Sequence, residues 1–231
     1  SARALSTLAR SAQRDALTGL PNRELLLDRL AQAIAVARGS GGKLALLFVD
    51  MNHFKSINDA MGHAVGDQVL RQAAACLLSA VREGDTVSRQ GGDEFLILLD
   101  GVSQPSDAMR VAHKVVSALG TPCRIGDHVV RLSASIGICL YPDDGDTPQL
   151  LIDRADAAMY RAKRSGTDAF VFHAQGLDAF APLVPAALAA LKPPVVPVEV
   201  AAAEHERRVA QLREANEQLV LAALDARDLQ A

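Results

Sequence analysis

Two rhythms of apolar positions organise the chain, one with a helical period and one continuous or alternating as in strands. Leu5, Leu8 and Ala12 share one face of a helical lead-in over residues 1–12. Turn residues and apolar residues mix through residues 15–23, and Asn22 is placed as the N-cap of a helix running to about residue 37, broken by Gly39, Gly41 and Gly42. Residues 44–49 form an unbroken apolar run, which predicts a buried strand ending at Asp50. A short helix over residues 54–61 stops at Gly62, and another over 67–81 turns Val69, Leu70, Ala73 and Leu77 inward. Residues 86–90, a Gly-Gly turn and residues 94–99 read as a β-hairpin. A helix over 108–119 follows, then a second hairpin in which Ile125, Gly126, Asp127 and His128 lead into the long run 129–141. A last helix covers roughly residues 149–163, and residues 169–172 close as a strand.

Helices and strands intermix, yet strands adjacent in sequence pair as hairpins. The expected fold class is therefore α+β, a central and mostly antiparallel sheet flanked by helices, plus a C-terminal helix. Residues 177–200 shift to Pro, Ala and Val, and the cluster Pro193, Pro194 and Pro197 forbids a long helix there. The expected organisation is a lead-in at 1–12, a domain at 13–173, a Pro/Ala-rich linker at 174–203 and a C-terminal helix at 204–231. In that helix Val209, Leu212, Asn216, Leu219, Ala223 and Ala226 keep a 3-4 spacing, which fits a coiled coil or an ordinary amphipathic helix.

Composition narrows the function classes. With 231 residues, 49% apolar and 22% charged, the chain has the material for one sizeable core plus an appendage. A formal net charge of −3 offers no broad basic surface, which argues against DNA or RNA as a partner but leaves room for a small nucleotide in a local pocket. Cys76, Cys123 and Cys139 form no CxxC pair and have apolar neighbours, as expected of reduced thiols in a cytoplasmic protein. No apolar run reaches the ~18 residues of a membrane span, and no signal peptide opens the chain. The six histidines show no metal-ligand spacing.

The candidate chemistry gathers on carboxylates. Asp50 ends a buried strand, and Asp93 and Glu94 follow the Gly91–Gly92 pair, whose lack of side chains lets a ligand approach the backbone. If that strand and the hairpin are neighbours, three carboxylates converge at one end of the sheet. Their mutual repulsion calls for a cation, and hard oxygen ligands suit Mg²⁺. On their own these residues also fit an acidic surface hairpin.

The wider pattern removes that alternative. Arg89-Gln90-Gly91-Gly92-Asp93-Glu94-Phe95 resembles the signature of the GGDEF family of diguanylate cyclases. Residues 15–23, beginning Asp15-Ala16-Leu17-Thr18, resemble that family's opening motif. Asp50 through Asp59, with Gly62, His63, Gly66 and Asp67, resembles its nucleotide-binding segment, and Ser133 to Gly137 and Asp156 to Lys163 resemble its closing motifs.

The resemblance, covering residues 12–172, implies a polymerase-palm or nucleotidyl-cyclase-like fold and condensation of two GTP into cyclic di-GMP and two pyrophosphates across a homodimer. It implies that Asp50, Asp93 and the Met51 carbonyl bind Mg²⁺ (or Mn²⁺), assisted by Glu94, with Asp93 and Glu94 catalytic. Asn58 and Asp67 are implied to read the guanine edge. Phe54, Lys55 and Lys163 are implied to hold the triphosphate, with Gly91 and Gly92 beside it. Arg82 and Asp85, at the family's offset before Gly91, resemble its RxxD site for inhibition by cyclic di-GMP. Two positions depart from the family pattern: Asn52 stands where Asp is frequent, and Thr167 where Arg is usual. The reading from a different class is a non-catalytic GTP or cyclic di-GMP receptor that signals through its flanking helices.

Overall fold

The computed structural model describes residues 13–126, 128–164 and 170–173. The helical lead-in, the linker, the C-terminal helix and Thr167 lie outside the described residues.

The first helix, α1 (Arg23–Ser40), begins where Asn22 accepts the Leu25 amide on its side-chain oxygen at 3.1 Å. It stops at Gly41, whose left-handed conformation (φ 69°) returns its N–H to the Ala37 carbonyl. Strand β1 (Leu44–Met51) follows, buried at every position. Helices α2 (Phe54–Met61) and α3 (His63–Ala80) meet at Gly62. The hairpin β2 (Thr86–Gly91) and β3 (Glu94–Leu99) leads to α4 (Pro105–Gly120). A small hairpin, β4 (Cys123–Ile125) and β5 (His128–Val130), precedes β6 (Ala134–Tyr141), α5 (Pro148–Arg164) and β7 (Phe170–Phe172).

The main sheet has five strands in the order β2-β3-β1-β6-β7, antiparallel except where β6 meets β7. The mostly antiparallel α+β expectation therefore holds. Strand β1 is central, which explains its unbroken apolar run: both faces are covered. One face, with Ala45, Leu47, Val49, Phe95, Ile97, Ile136 and Ile138, packs under α3 and α4. The opposite face, with Leu44, Leu46, Phe48, Leu96, Leu98 and Cys139, packs under α1 and α5. Strand alternation sends successive side chains into the two cores in turn.

Three boundaries differ from expectation. The run 129–141 is not one strand: β5 pairs with β4 in a separate two-stranded sheet, while β6 lies between β1 and β7. Helix α3 starts at His63 rather than 67, because Gly62 (φ 85°) ends one helix and admits the next without a connecting loop. Helix α4 starts at Pro105 rather than 108. Proline suits the first helical position, and the Asp107 carboxylate accepts the Ser103 and Gln104 amides at 2.9 and 3.0 Å.

Candidate active site

Strand register brings the carboxylates together. Asp50, near the end of β1, stands directly across from Glu94 at the start of β3. The Met51 amide donates to the Asp93 carbonyl at 3.1 Å, fastening the Gly-Gly turn to the strand end. Asp50 is 6% exposed, and Lys163 on α5 places its Nζ 2.7 Å from Asp50 Oδ1. Helix α5 comes this close because Gly137 on β6 has no side chain. A Cβ there would lie 1.9 Å from the Ala155 carbonyl oxygen and 2.2 Å from the Met159 nitrogen.

The crowding shows in the acidities. Burial, then repulsion from Asp50, raises the Asp93 pKa above the ordinary carboxylate value, against the pull of Lys163 and Arg89. Burial raises Glu94 as well, reinforced by Asp50, Asp156 and Asp93. Asp156 on α5 is raised by burial, then by Asp153 and Asp50. Asp156 is thus a fourth member of the group, and no role was assigned to it from the sequence. Its spacing of two helical turns before Lys163 is the signal that places both on one face of α5. Among the described residues no three His, Cys, Asp or Glu side chains are gathered tightly enough to hold a metal ion by themselves.

A second group lies on α2 and α3. His53, the residue before α2, adopts a left-handed conformation (φ 59°) rare for a non-glycine residue. That turn takes the chain from β1 into α2, and it is tethered by the Asn52 amide donating to the Ser133 carbonyl at 2.9 Å. Ser135 Oγ donates to the Asn52 side-chain oxygen, also at 2.9 Å. Phe54 is half-buried against the core, whereas Lys55 is exposed. Asn58 lies over Gly66: a Cβ on Gly66 would meet Asn58 Oδ1 at 1.8 Å. Asp67, the next residue, is exposed on the first turns of α3.

Arg89 fixes the hairpin end. Its Nη1 donates to both Asp15 carboxylate oxygens at 3.0 Å, and its Nε and Nη2 reach the Gly92 carbonyl at 3.0 and 2.7 Å. The pair is largely buried, with side-chain exposures of 11% for Arg89 and 21% for Asp15. Burial alone raises Asp15, but its hydrogen bonds from the Thr18 side chain and amide, and from Arg89, outweigh burial and leave the pKa lowered. This clamp also had no assigned role, because its partners are 74 residues apart.

Arg82 and Asp85 occupy the turn between α3 and β2 and pair with each other, Nε to Oδ1 at 3.2 Å. Asp85 also accepts the Arg82 amide at 3.1 Å, and an Arg82 Nη donates to the Asp100 carbonyl. Asp85 is 4% exposed by side chain and Arg82 65%, so the arginine is the accessible half. No helix of the described residues is long and apolar enough to cross a membrane.

Comparison with known proteins places this geometry. The family model described as "Diguanylate cyclase, GGDEF domain" matches residues 12–169. The bifunctional diguanylate cyclase/cyclic di-GMP phosphodiesterase MucR of Pseudomonas aeruginosa is 46% identical over 178 residues, 77% of this chain and 26% of MucR. The diguanylate cyclase TpbB of the same species is 44% identical over 160 residues, 69% of this chain and 37% of TpbB. The chain thus spans between a quarter and two fifths of these curated relatives. A solved structure comprising only the GGDEF domain of TpbB superposes with a TM-score of 0.68 at 42% identity, covering 69% of this chain and 94% of that one. The GGDEF domain of DgcB from Caulobacter crescentus, solved in complex with c-di-GMP, gives a TM-score of 0.65 at 28% identity, covering 71% and 97%.

Proposed function

The chain belongs to the family of diguanylate cyclase GGDEF domains, and from that membership we propose that it condenses two GTP into cyclic di-GMP across a homodimer. The observation that carries the reading is the pairing of Asp50 with Glu94 across β1 and β3, with Asp93 on the adjoining turn. In the reaction each ribose 3′-oxygen forms a bond to the α-phosphorus of the other GTP. The bond from that phosphorus to its bridging oxygen breaks, and pyrophosphate leaves with the electron pair. Glu94, whose pKa is raised, is suited to receive the hydroxyl proton.

The donor set fits a hard divalent cation. Asp50, Asp93 and the Met51 carbonyl are oxygen ligands, and Mg²⁺ is usually held by one or two carboxylates plus substrate phosphates. Bound there, Mg²⁺ or Mn²⁺ supplies positive charge to the phosphates, where transfer is catalysed mainly by alignment and electrostatics. Helix α2 has no side-chain cap from His53, an arrangement open to phosphate at its first turn, next to Phe54 and Lys55. Gly91 and Gly92 leave the hairpin turn without side chains, and Lys163 supplies a cation. The Asp67 carboxylate accepts from guanine N1–H and N2–H, a donor pair adenine lacks, and Asn58 adds a carboxamide. Arg82, exposed beside Asp85, is the contact for inhibitory cyclic di-GMP, its fork matching guanine O6 and N7.

The test is incubation of the protein with GTP and Mg²⁺, with products identified by chromatography and mass spectrometry, and Asp93→Ala as control. Cyclic di-GMP from the parent but not the variant is expected. No product from a folded, nucleotide-binding protein at high concentration would replace the enzyme with a receptor.

A further inference from the structure

Helix α3 and the β4–β5 hairpin meet over an open surface cavity of about 260 Å³ lined by Gln68, Arg71, Gln72, Arg124 and Ile125. Gln68, Arg71 and Gln72 stand at i, i+3 and i+4, one face of the helix. Ile125 is buried and Arg124 exposed. Arg71 Nε donates to the Leu17 carbonyl at 3.3 Å, which anchors one edge of its guanidinium. The Gln72 amide nitrogen rests 3.7 Å from the Cys76 sulfur. Among the described residues no carboxylate lines the cavity, and neither Arg71 nor Arg124 is ion-paired.

Two arginines lining one cavity repel each other, and an oxyanion between them reverses the sign of that interaction. Arginine forks match phosphate oxygens in a bidentate manner, and such charge-assisted bonds are about twice as strong as neutral ones. The volume lies below the roughly 300–1,000 Å³ of drug-sized pockets, so the ligand is small. Ile125 offers apolar contact to an organic substituent. We propose that this cavity binds a small phosphate-bearing anion through Arg71, Arg124 and the Gln68 carboxamide, at a site separate from the Asp50–Glu94 group. The inference is independent of the proposed cyclase activity.

The experiment is an NMR titration of the isotopically labelled full chain with inorganic phosphate and, separately, glycerol 3-phosphate, at ionic strength held constant with chloride. Saturable shifts are expected in the Gln68 and Gln72 side-chain amides and the Arg71 and Arg124 Nε–H signals. Tighter binding of glycerol 3-phosphate would assign the site to organic phosphates, and equal binding to the free ion; both support the proposal. Arg124→Gln should weaken binding at least tenfold. Gln68→Glu, which puts a repelling carboxylate on an exposed helical position, should abolish it even if the first variant fails to fold. Shifts that rise linearly and match chloride, that are confined to residues 54–58 and 163, or that persist at parental affinity in Gln68→Glu would overturn the proposal.

Discussion

Removing Asp15 tests whether the Arg89 clamp holds the Gly-Gly turn. In Asp15→Ala the Arg89 guanidinium stays behind, 11% exposed, with its Nη1 partner gone and only the Gly92 carbonyl remaining. Exposed ion pairs contribute about 0–1 kcal/mol, and breaking a fully buried one costs about 3–5 kcal/mol. This pair lies between the limits, so a loss of about 2–3 kcal/mol is expected. For a domain of this size that lowers Tm by roughly 5–10 °C. Urea denaturation at pH 7 measures the loss directly, and Asp15→Asn, which keeps an acceptor for Thr18 and Arg89, should lose less. The pH dependence has a definite sign. Because the folded-state pKa of Asp15 is lowered despite burial, its contribution is present above the unfolded carboxylate value of about 3.9. It fades as pH falls through the folded-state value, so parent and variant should converge in stability below pH ~4. A loss under about 0.5 kcal/mol at pH 7, or a difference that widens in acid, would refute the clamp.

Two glycines should respond in opposite ways. Gly137→Ala drives a Cβ into the Ala155 carbonyl and Met159 nitrogen, backbone atoms that cannot swing aside, so a loss of about 3 kcal/mol or more is expected in chemical denaturation. Gly66→Ala meets the end of the Asn58 side chain, which can rotate away, and alanine favours the helix by about 1 kcal/mol. Stability should therefore stay within about 1 kcal/mol of the parent, while GTP binding by calorimetry weakens at least tenfold because Asn58 is displaced. Arg82→Ala should relieve inhibition by added cyclic di-GMP in the cyclase assay and leave the initial rate intact; inhibition at the parental concentration would remove Arg82 from that role.

Local chemistry made much of the fold legible. Asn22 announces a helix because its own side chain accepts the Leu25 amide, and the run through β1 announces a central strand because both faces are covered. The Gly-Gly turn and its flanking strands are likewise contained in a short segment. What stayed hidden depends on partners distant in sequence. Apolar periodicity does not reveal that the chain changes sheets between Val130 and Ala134, since both pieces are apolar and only their pairing differs. Asp156 looks like any acid on an amphipathic helix until Gly137 lets α5 settle onto β6. The Asp15–Arg89 pair is invisible to spacing because it closes a loop of 74 residues.

The charges at the strand ends explain why these separate devices belong to one site. Burial and neighbouring carboxylates, Asp50 among them, raise Asp93, Glu94 and Asp156, while Lys163 is the ammonium in direct contact with Asp50. A triphosphate entering such a field meets net repulsion, which a single lysine does not cancel. On the proposed function, admission of the nucleotide calls for added positive charge, and so do the carboxylates. On the proposed reading a divalent cation serves both, so nucleotide and cation strengthen each other's binding reciprocally. The Lys163–Asp50 contact then acquires a purpose in the absence of ligand. It holds a buried carboxylate in a fixed orientation at the end of β1, in a position that depends on Gly137 and on the packing of α5.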